Sequence, residues 1–395
     1  MASETAQRKL GELGTDRIAE IFERVICSND LISFAAGAPS HDLLPTDLLE
    51  SAVKNALARY GSTILQYGEV RGFTPLIEVC SELLAARGIT RCTDRVHIAT
   101  GGSGALNNIA GSVLDPGDVV LVETPTYGPA LSVFRSYGAE IVQVTTDDQG
   151  IDPDSLDTML SRFPDALVYL LPTFQNPTGA TASAARRKAL AAVLLRHDAL
   201  AIEDDVYCEL RYSGTPEPAL CSYAPDNVAY ITSLSKTLAP ALRIGISVLP
   251  DRILETVLRI KRGIDMQTSS LCQATVAEAI KSLDYKEHLQ TIRSTYERRM
   301  QTIGDSLTAH LTPVVRWRIP DGGLFVWLEG PPSLDADSVV REAIDSGVAV
   351  LPGSAFHADP RDGRNTLRLS IAAVQDQFID QGVQRLAMLI ESKIQ

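Results

Sequence analysis

The sequence predicts an α/β protein: a large domain with a mostly parallel sheet between helices, followed by a smaller α+β domain. Three observations lead there. Short, continuously apolar runs recur between stretches of helical periodicity, as strands buried on both faces do. Most of these runs end in glycine, acidic or turn residues, at the edge where such sheets bind ligands. Beyond about residue 285 the alternation gives way to a long helix, a strand pattern and a closing helix. The expected units are an N-terminal helix and arm over 1–45, the large domain over 46–285 and the small domain over 286–395.

In chain order, a helix is expected over about 15–25. The arm Ile32-Ser33-Phe34-Ala35-Ala36-Gly37-Ala38-Pro39 follows, apolar and ending in turn residues. An apolar arm of this kind must lie on something, either its own body or a partner subunit. Val96-His97-Ile98-Ala99-Thr100 is a strand leading into glycines and an apolar helix. Val119-Val120-Leu121-Val122-Glu123 is a strand that stops at Thr124-Pro125. Two further apolar runs, from Ala166 and from Ala199, end at Pro172 and Asp204, and Val228-Ala229-Tyr230-Ile231-Thr232-Ser233 repeats the pattern. A helical stretch over 274–311, the strand Leu324-Phe325-Val326-Trp327 and a helix over 377–393 make up the remainder.

A net charge of −13 argues against nucleic-acid binding, which needs a basic face, but not against a small anion in a local basic pocket. The six cysteines form no C-x-x-C pair and accompany no histidine cluster, so no metal site is expected. Their scatter suits a reducing compartment. The first residues lack an apolar signal core, and no apolar run approaches the roughly 20 residues of a membrane span. The expectation is a cytoplasmic protein with no membrane partner.

The chemistry concentrates in Ser233-Leu234-Ser235-Lys236-Thr237-Leu238-Ala239-Pro240-Ala241-Leu242-Arg243. A lysine among small apolar residues is poorly solvated as a cation, so its amine is easier to deprotonate and use as a nucleophile. Two serines and an arginine beside it suit a phosphate. An amine next to a phosphate site is what a pyridoxal phosphate Schiff base requires.

Other segments admit two readings each. Gly101-Gly102-Ser103-Gly104 opens a helix after a strand, as a tight turn or as an anion site on free N–H groups. Gln175-Asn176-Pro177-Thr178-Gly179 is a plain turn, or a place for the Asn176 amide to donate to a phenolic oxygen and a substrate carboxylate. Glu203-Asp204-Asp205-Val206-Tyr207 is a helix cap, or a carboxylate that keeps a pyridine nitrogen protonated beside a tyrosine that donates to the ring hydroxyl. Tyr127 and Tyr67 are buried aromatics or ring contacts. Arg368, between two leucines of a strand-like segment, needs an anion, from the protein or from a ligand.

The order and spacing of these segments resemble the class I and II aminotransferases of pyridoxal phosphate fold type I, in the branch acting on 2-aminoadipate, kynurenine and aromatic or branched amino acids. The resemblance runs from Ile32 to about Leu389 and rests on N-P-T-G, D-x-x-Y, S-x-S-K with a downstream arginine, and the late L-R-L strand. It implies a large domain with a seven-stranded-type sheet and pyridoxal 5'-phosphate on Lys236. Asp204 would meet the pyridine nitrogen, and Tyr207 and Asn176 the ring hydroxyl. Ser233, Ser235, Arg243, Gly102 and Ser103 would hold the phosphate. Tyr127 would stack on the ring, and Tyr67 would reach a phosphate across a homodimer interface.

On the substrate side the resemblance implies Arg368 and Asn176 at the carboxylate and Gly37 on the arm above it. Lys236, Asp204 and Tyr207 are then the catalytic set. The activity implied is amino-group transfer from an L-α-amino acid to a 2-oxo acid by ping-pong chemistry. The sequence departs from the family pattern in the glycine turn, and on the substrate side in the arm and the strand end Leu369-Ser370-Ile371-Ala372; the substrate-side departures keep a second reading open, in which the same carbanion serves replacement, elimination or cyclisation.

Overall fold

The computed structural model describes residues 21, 31–90 and 92–394. The helix expected over 15–25 lies outside them except for Ile21, which is helical and buried. Arg17, Arg24 and Cys27 also lie outside.

The large unit begins with helices α1 (Thr46–Tyr60) and α2 (Thr74–Ala85). Its sheet takes β2 (Val96–Thr100), β3 (Val119–Val122), β4 (Glu140–Gln143), β7 (Leu167–Leu170), β8 (Ala201–Asp204), β9 (Val228–Ser233) and β10 (Ile244–Val248), in the spatial order β2-β10-β9-β8-β7-β3-β4. A small hairpin, β5 (Thr146–Asp147) and β6 (Gly150–Ile151), follows β4, and β1 (Ile32–Ser33) belongs to the arm. Pairing is parallel from β9 across to β4, while β10 runs antiparallel to both its neighbours. The sheet is thus mostly parallel, as the apolar runs require. The connecting helices are α3 (Gly101–Val113), α4 (Gly128–Ser136), α5 (Pro153–Arg162), α6 (Ala184–His197) and α7 (Asp251–Ile264). One apolar cluster lies on each sheet face, one holding Val168, Leu170 and Tyr230, the other Tyr169, Ile202 and Ile231.

The helical stretch expected over 274–311 is two helices, α8 (Ser270–Lys281) and α9 (Leu283–His310). Ser282 separates them in extended conformation, and its hydroxyl accepts from Asp284 N, the capping competition that serine offers a helix. The C-terminal sheet is antiparallel, in the order β11 (Arg316–Trp317), β12 (Phe325–Glu329), β15 (Thr366–Ser370), β14 (Leu351–Pro352). Helices α10 (Ala336–Asp345) and α11 (Ile379–Ile394), with β13 (Val348–Ala349), complete it.

The arm lies on its own chain. Strand β1 pairs with β13, Phe34 N donates to Ala349 O at 2.8 Å, and Ser370 N donates to Phe34 O at 2.7 Å. Phe34 is fully buried in the C-terminal core with Leu369 and Ile371.

Between the β5–β6 hairpin and the C-terminal sheet lies a cavity of about 470 Å³, lined by Thr146, Asp148, Gly179, Trp317, Arg318 and Trp327 among others. Among the described residues no helix is long and apolar enough to cross a membrane.

Candidate active site

Strands β2, β7, β8 and β9 end along one edge of the large sheet, and the polar motifs that follow them converge there. A cavity of about 210 Å³ is lined by Gly102, Ser103, Tyr127, Leu171, Asp204, Val206, Tyr207, Ser233, Ser235, Lys236, Pro240 and Arg243. Nine of these twelve are residues singled out from the sequence.

One end of the cavity is built for an anion. Helix α3 starts at Gly101 with no side-chain cap, so that beyond Gly101 N its first turn offers the N–H groups of Gly102 and Ser103 to an anion. Gly101 has φ +75°, and a Cβ there would come within 2.4 Å of an Arg243 guanidinium nitrogen. Gly245, next but one to that arginine, approaches so closely that its Cβ would meet the Gly101 carbonyl at 2.3 Å. Arg243 adopts a left-handed backbone (φ +52°) and its carbonyl accepts from Gly101 N at 3.0 Å. Among the described residues, its guanidinium hydrogen-bonds to backbone carbonyls alone, those of Thr100 and Pro240, at 3.4 Å. The hydroxyls of Ser233 and Ser235 lie 2.9 Å apart beside it.

In the middle sit Lys236 and Asp204. The Lys236 side chain is partly accessible through the cavity while its amine is deep in protein, donating to Gly37 O at 3.0 Å. Burial, then the Arg368 charge, lower its pKa to about 8, with Asp204 opposing. Asp204 ends β8. Burial raises its pKa to about 6, against a hydrogen bond from the Tyr169 hydroxyl at 2.9 Å. Its Oδ1 is buried without a partner among the described residues. Its chain neighbours Glu203 and Asp205 point the other way, onto buried Arg187 and Arg87.

At the other end, Asn176 bridges two groups. Its amide donates to the Tyr207 hydroxyl at 3.4 Å and its oxygen accepts from Arg368 Nη1 at 3.1 Å. Arg368 is 4 % exposed, lies 4.3 Å over the Phe325 ring and 5.0 Å over Phe356, and donates to Ala35 O. It forms no ion pair with a described acid, its Nε has no partner among the described residues, and burial lowers its pKa to about 10. A buried guanidinium facing only neutral oxygens is set for an incoming carboxylate. A Cβ at Gly37 would touch the Phe325 ring at 3.0 Å, which places the arm glycine over this end.

Tyr67 does not join these groups within the chain: it is 77 % exposed. Arg262 is exposed on α7 and does not line the cavity. Sequence reasoning missed Tyr169, Phe325 and Phe356. Tyr169 did carry a signal, as the lone polar side chain of the run Leu167-Val168-Tyr169-Leu170.

The class I and II aminotransferase family matches residues 29–386. The chain belongs to that family. It is 32% identical to the aromatic-amino-acid aminotransferase 1 of Thermococcus litoralis, over 94% of this chain and 90% of that protein. Among solved structures it is similar to the kynurenine aminotransferase of Pyrococcus horikoshii (TM-score 0.92, 32% identity, 100% of this chain and 98% of that one). It is also similar to the α-aminoadipate aminotransferase LysN of Thermus thermophilus in complex with N-(5'-phosphopyridoxyl)-L-leucine (TM-score 0.89, 32% identity, 98% and 97%).

This aminotransferase is therefore a pyridoxal phosphate-dependent transferase of fold type I, and amino-group transfer is its reaction class; the replacement and elimination reading is not favoured. The residues present fit the cofactor. An uncapped helix start with Arg243 and two serines suits its phosphate, and the unpartnered Asp204 Oδ1 suits its ring nitrogen.

Proposed function

We propose that the enzyme transfers amino groups from L-α-amino acids with large, aromatic or extended side chains to a 2-oxo acid, as a homodimer in the cytoplasm. The observation that carries this reading is Arg368: a buried guanidinium without an ion-pair partner among the described residues, held between Phe325 and Phe356 and bonded to Asn176. A carboxylate on this fork lies within electrostatic reach of Lys236, whose pKa the Arg368 charge helps to lower. The activities named for the relatives support the same substrate class.

When bound, pyridoxal phosphate supplies an electrophilic aldehyde and a ring that takes up the Cα electron pair. The remaining work falls to side chains. Ser233, Ser235, Arg243 and the Gly102–Ser103 backbone would hold the phosphate. Asp204 would keep a proton at the ring nitrogen, Tyr207 and Asn176 would bond the ring hydroxyl, and Tyr127 would cover the ring face. Lys236 would hold the aldehyde and its amine would move the proton to and from Cα, a role for which burial and the Arg368 charge lower its pKa.

The dimer reading is supported by the exposure of Tyr67 beside Leu65, Ile264 and Met266, all more than half exposed, on two segments tied together where Gln267 accepts from Gly68 N. We read the organisation as 1–45, 46–285 and 286–395, supported by the separate apolar clusters of the two sheets.

The test is a visible-absorption titration of the pyridoxal phosphate-loaded enzyme. Phenylalanine, kynurenine, 2-aminoadipate and leucine are added singly, then 2-oxoglutarate or pyruvate. Bleaching of the cofactor band by an amino acid, and its return with a 2-oxo acid, is the expected result. Bleaching by small amino acids alone would overturn the substrate class.

A further inference from the structure

The geometry points to Tyr169 as a positioning residue for the reaction: its hydroxyl fixes one oxygen of Asp204, so that the other is presented ionised to the cofactor's ring nitrogen. This rests on the assignment of Asp204 to that nitrogen.

Tyr169 lies on β7, in register with Ile202 of the parallel neighbour β8. Side chains two residues apart on a strand share a face, so a tyrosine opposite Ile202 reaches Asp204, one step further along. The hydroxyl meets Asp204 Oδ2 at 2.9 Å, with Tyr169 fully buried. Phe134 packs edge-on against the ring at 5.3 Å and fixes its direction. The strand is otherwise Leu-Val-Leu, where a phenylalanine would fill the same volume without an oxygen to satisfy. Among the described residues, the hydroxyl's one hydrogen-bond partner is Asp204.

The charged and titratable groups around Asp204 leave this role to Tyr169. They are Glu123, Tyr127, Tyr169, Asp205, Tyr207 and Lys236. Asp205 opposes ionisation of Asp204 and is itself bonded by Arg87 and Tyr230. Lys236 favours ionisation without a hydrogen bond to it. Among the described residues, Tyr169 is the one side chain that donates to the carboxylate, beside the backbone N–H of Val206. A donor bonded to the charged form favours that form, and it leaves Oδ1 as the free acceptor at the cavity wall.

The experiment uses fully loaded Tyr169→Phe holoenzyme. The readouts are the pH midpoint of the bound cofactor's visible band, the pyridoxal phosphate Kd by equilibrium dialysis, and kcat and KM. A ring nitrogen held less firmly protonated withdraws fewer electrons. The band midpoint is then expected to rise by about half a unit or more, kcat to fall about tenfold and KM to stay within about twofold.

Two comparators separate the explanations. Phe134→Leu loosens the packing but keeps the hydroxyl, and is expected to lower Tm without moving the midpoint. Asp204→Asn reports on the nitrogen assignment itself and is expected to move the midpoint further than Tyr169→Phe. If Asp204→Asn moves the midpoint and Tyr169→Phe does not, the role of Tyr169 is overturned while the assignment stands. If Asp204→Asn leaves the midpoint in place, the assignment fails and the role of Tyr169 with it. An equal midpoint shift in Phe134→Leu would reduce Tyr169 to packing.

Discussion

Glu123 shows how a single buried group sets a pH response. It is fully enclosed, accepts from Leu171 N at 3.0 Å and from the Gln175 amide at 3.3 Å, and burial raises its pKa to about 8. The folded protein therefore binds this proton more tightly than the unfolded chain does. The stabilisation is complete below the ordinary carboxylate range, near pH 4.5, and is lost as pH rises through about 8. Glu123→Gln keeps an acceptor and removes the charge, so its Tm should decline between pH 5 and 8.5 less than the wild type's, by at least about 2 °C. Melting curves across that range check it; parallel declines would place the pH response elsewhere. Lys236→Ala should lower turnover by at least about a thousandfold, because no other amine of the described residues lines the cavity. Single-turnover kinetics of the loaded variant test this, and retained turnover would refute the lysine's role. At this scale the sequence was most informative where chemistry dictates residue type: Lys236, Asp204 and Arg243 line one cavity, and Arg368 is linked to it through Asn176 and Tyr207. Phe325 and Phe356 were not legible, because an aromatic in an apolar segment reads the same whether it fills a core or faces a ligand, while Tyr169 was marked only by the lone hydroxyl of its run.

Among the elements, the parallel strands could be read from their continuous apolar runs, but the reversal at β10 could not. Ile244–Val248 is an apolar run like the parallel strands and carries no sign of direction; the short Pro240–Leu242 turn brings Arg243 back over Gly101. The same turn puts Gly245 against the Gly101 backbone, where any side chain collides with main chain rather than with a movable tip. Gly245→Ala should cost about 2 kcal/mol or more and weaken pyridoxal phosphate binding about tenfold or more by displacing the start of α3. Denaturant melts and equilibrium dialysis measure the two effects, and wild-type values for both would contradict the close approach. Ser282 divides α8 from α9 for a comparably local reason. Helical periodicity continues through it, and a serine that can cap is the sole interruption.

For the whole molecule, Tyr67 is the residue that one chain leaves unexplained. If it completes the phosphate site of a second copy, a Tyr67→Ala chain and a Lys236→Ala chain carry complementary defects. Refolding the two inactive or impaired variants together should then restore activity, to roughly a quarter of wild type when subunits pair at random and one site per mixed dimer is intact. Tyr67 serving its own chain would leave the mixture no better than its parts. Nothing in composition could have placed this residue, since an exposed tyrosine becomes informative only once the other groups have been seen to meet without it.

The cavity between the two sheets has a practical consequence. Both of the protein's tryptophans, Trp317 and Trp327, line it from the C-terminal sheet, facing the hairpin of the large unit and the turn after Pro177. Indole emission excited near 295 nm therefore arises at this seam alone. A stopped-flow trace of that emission during a half-reaction needs no label and reports from this seam.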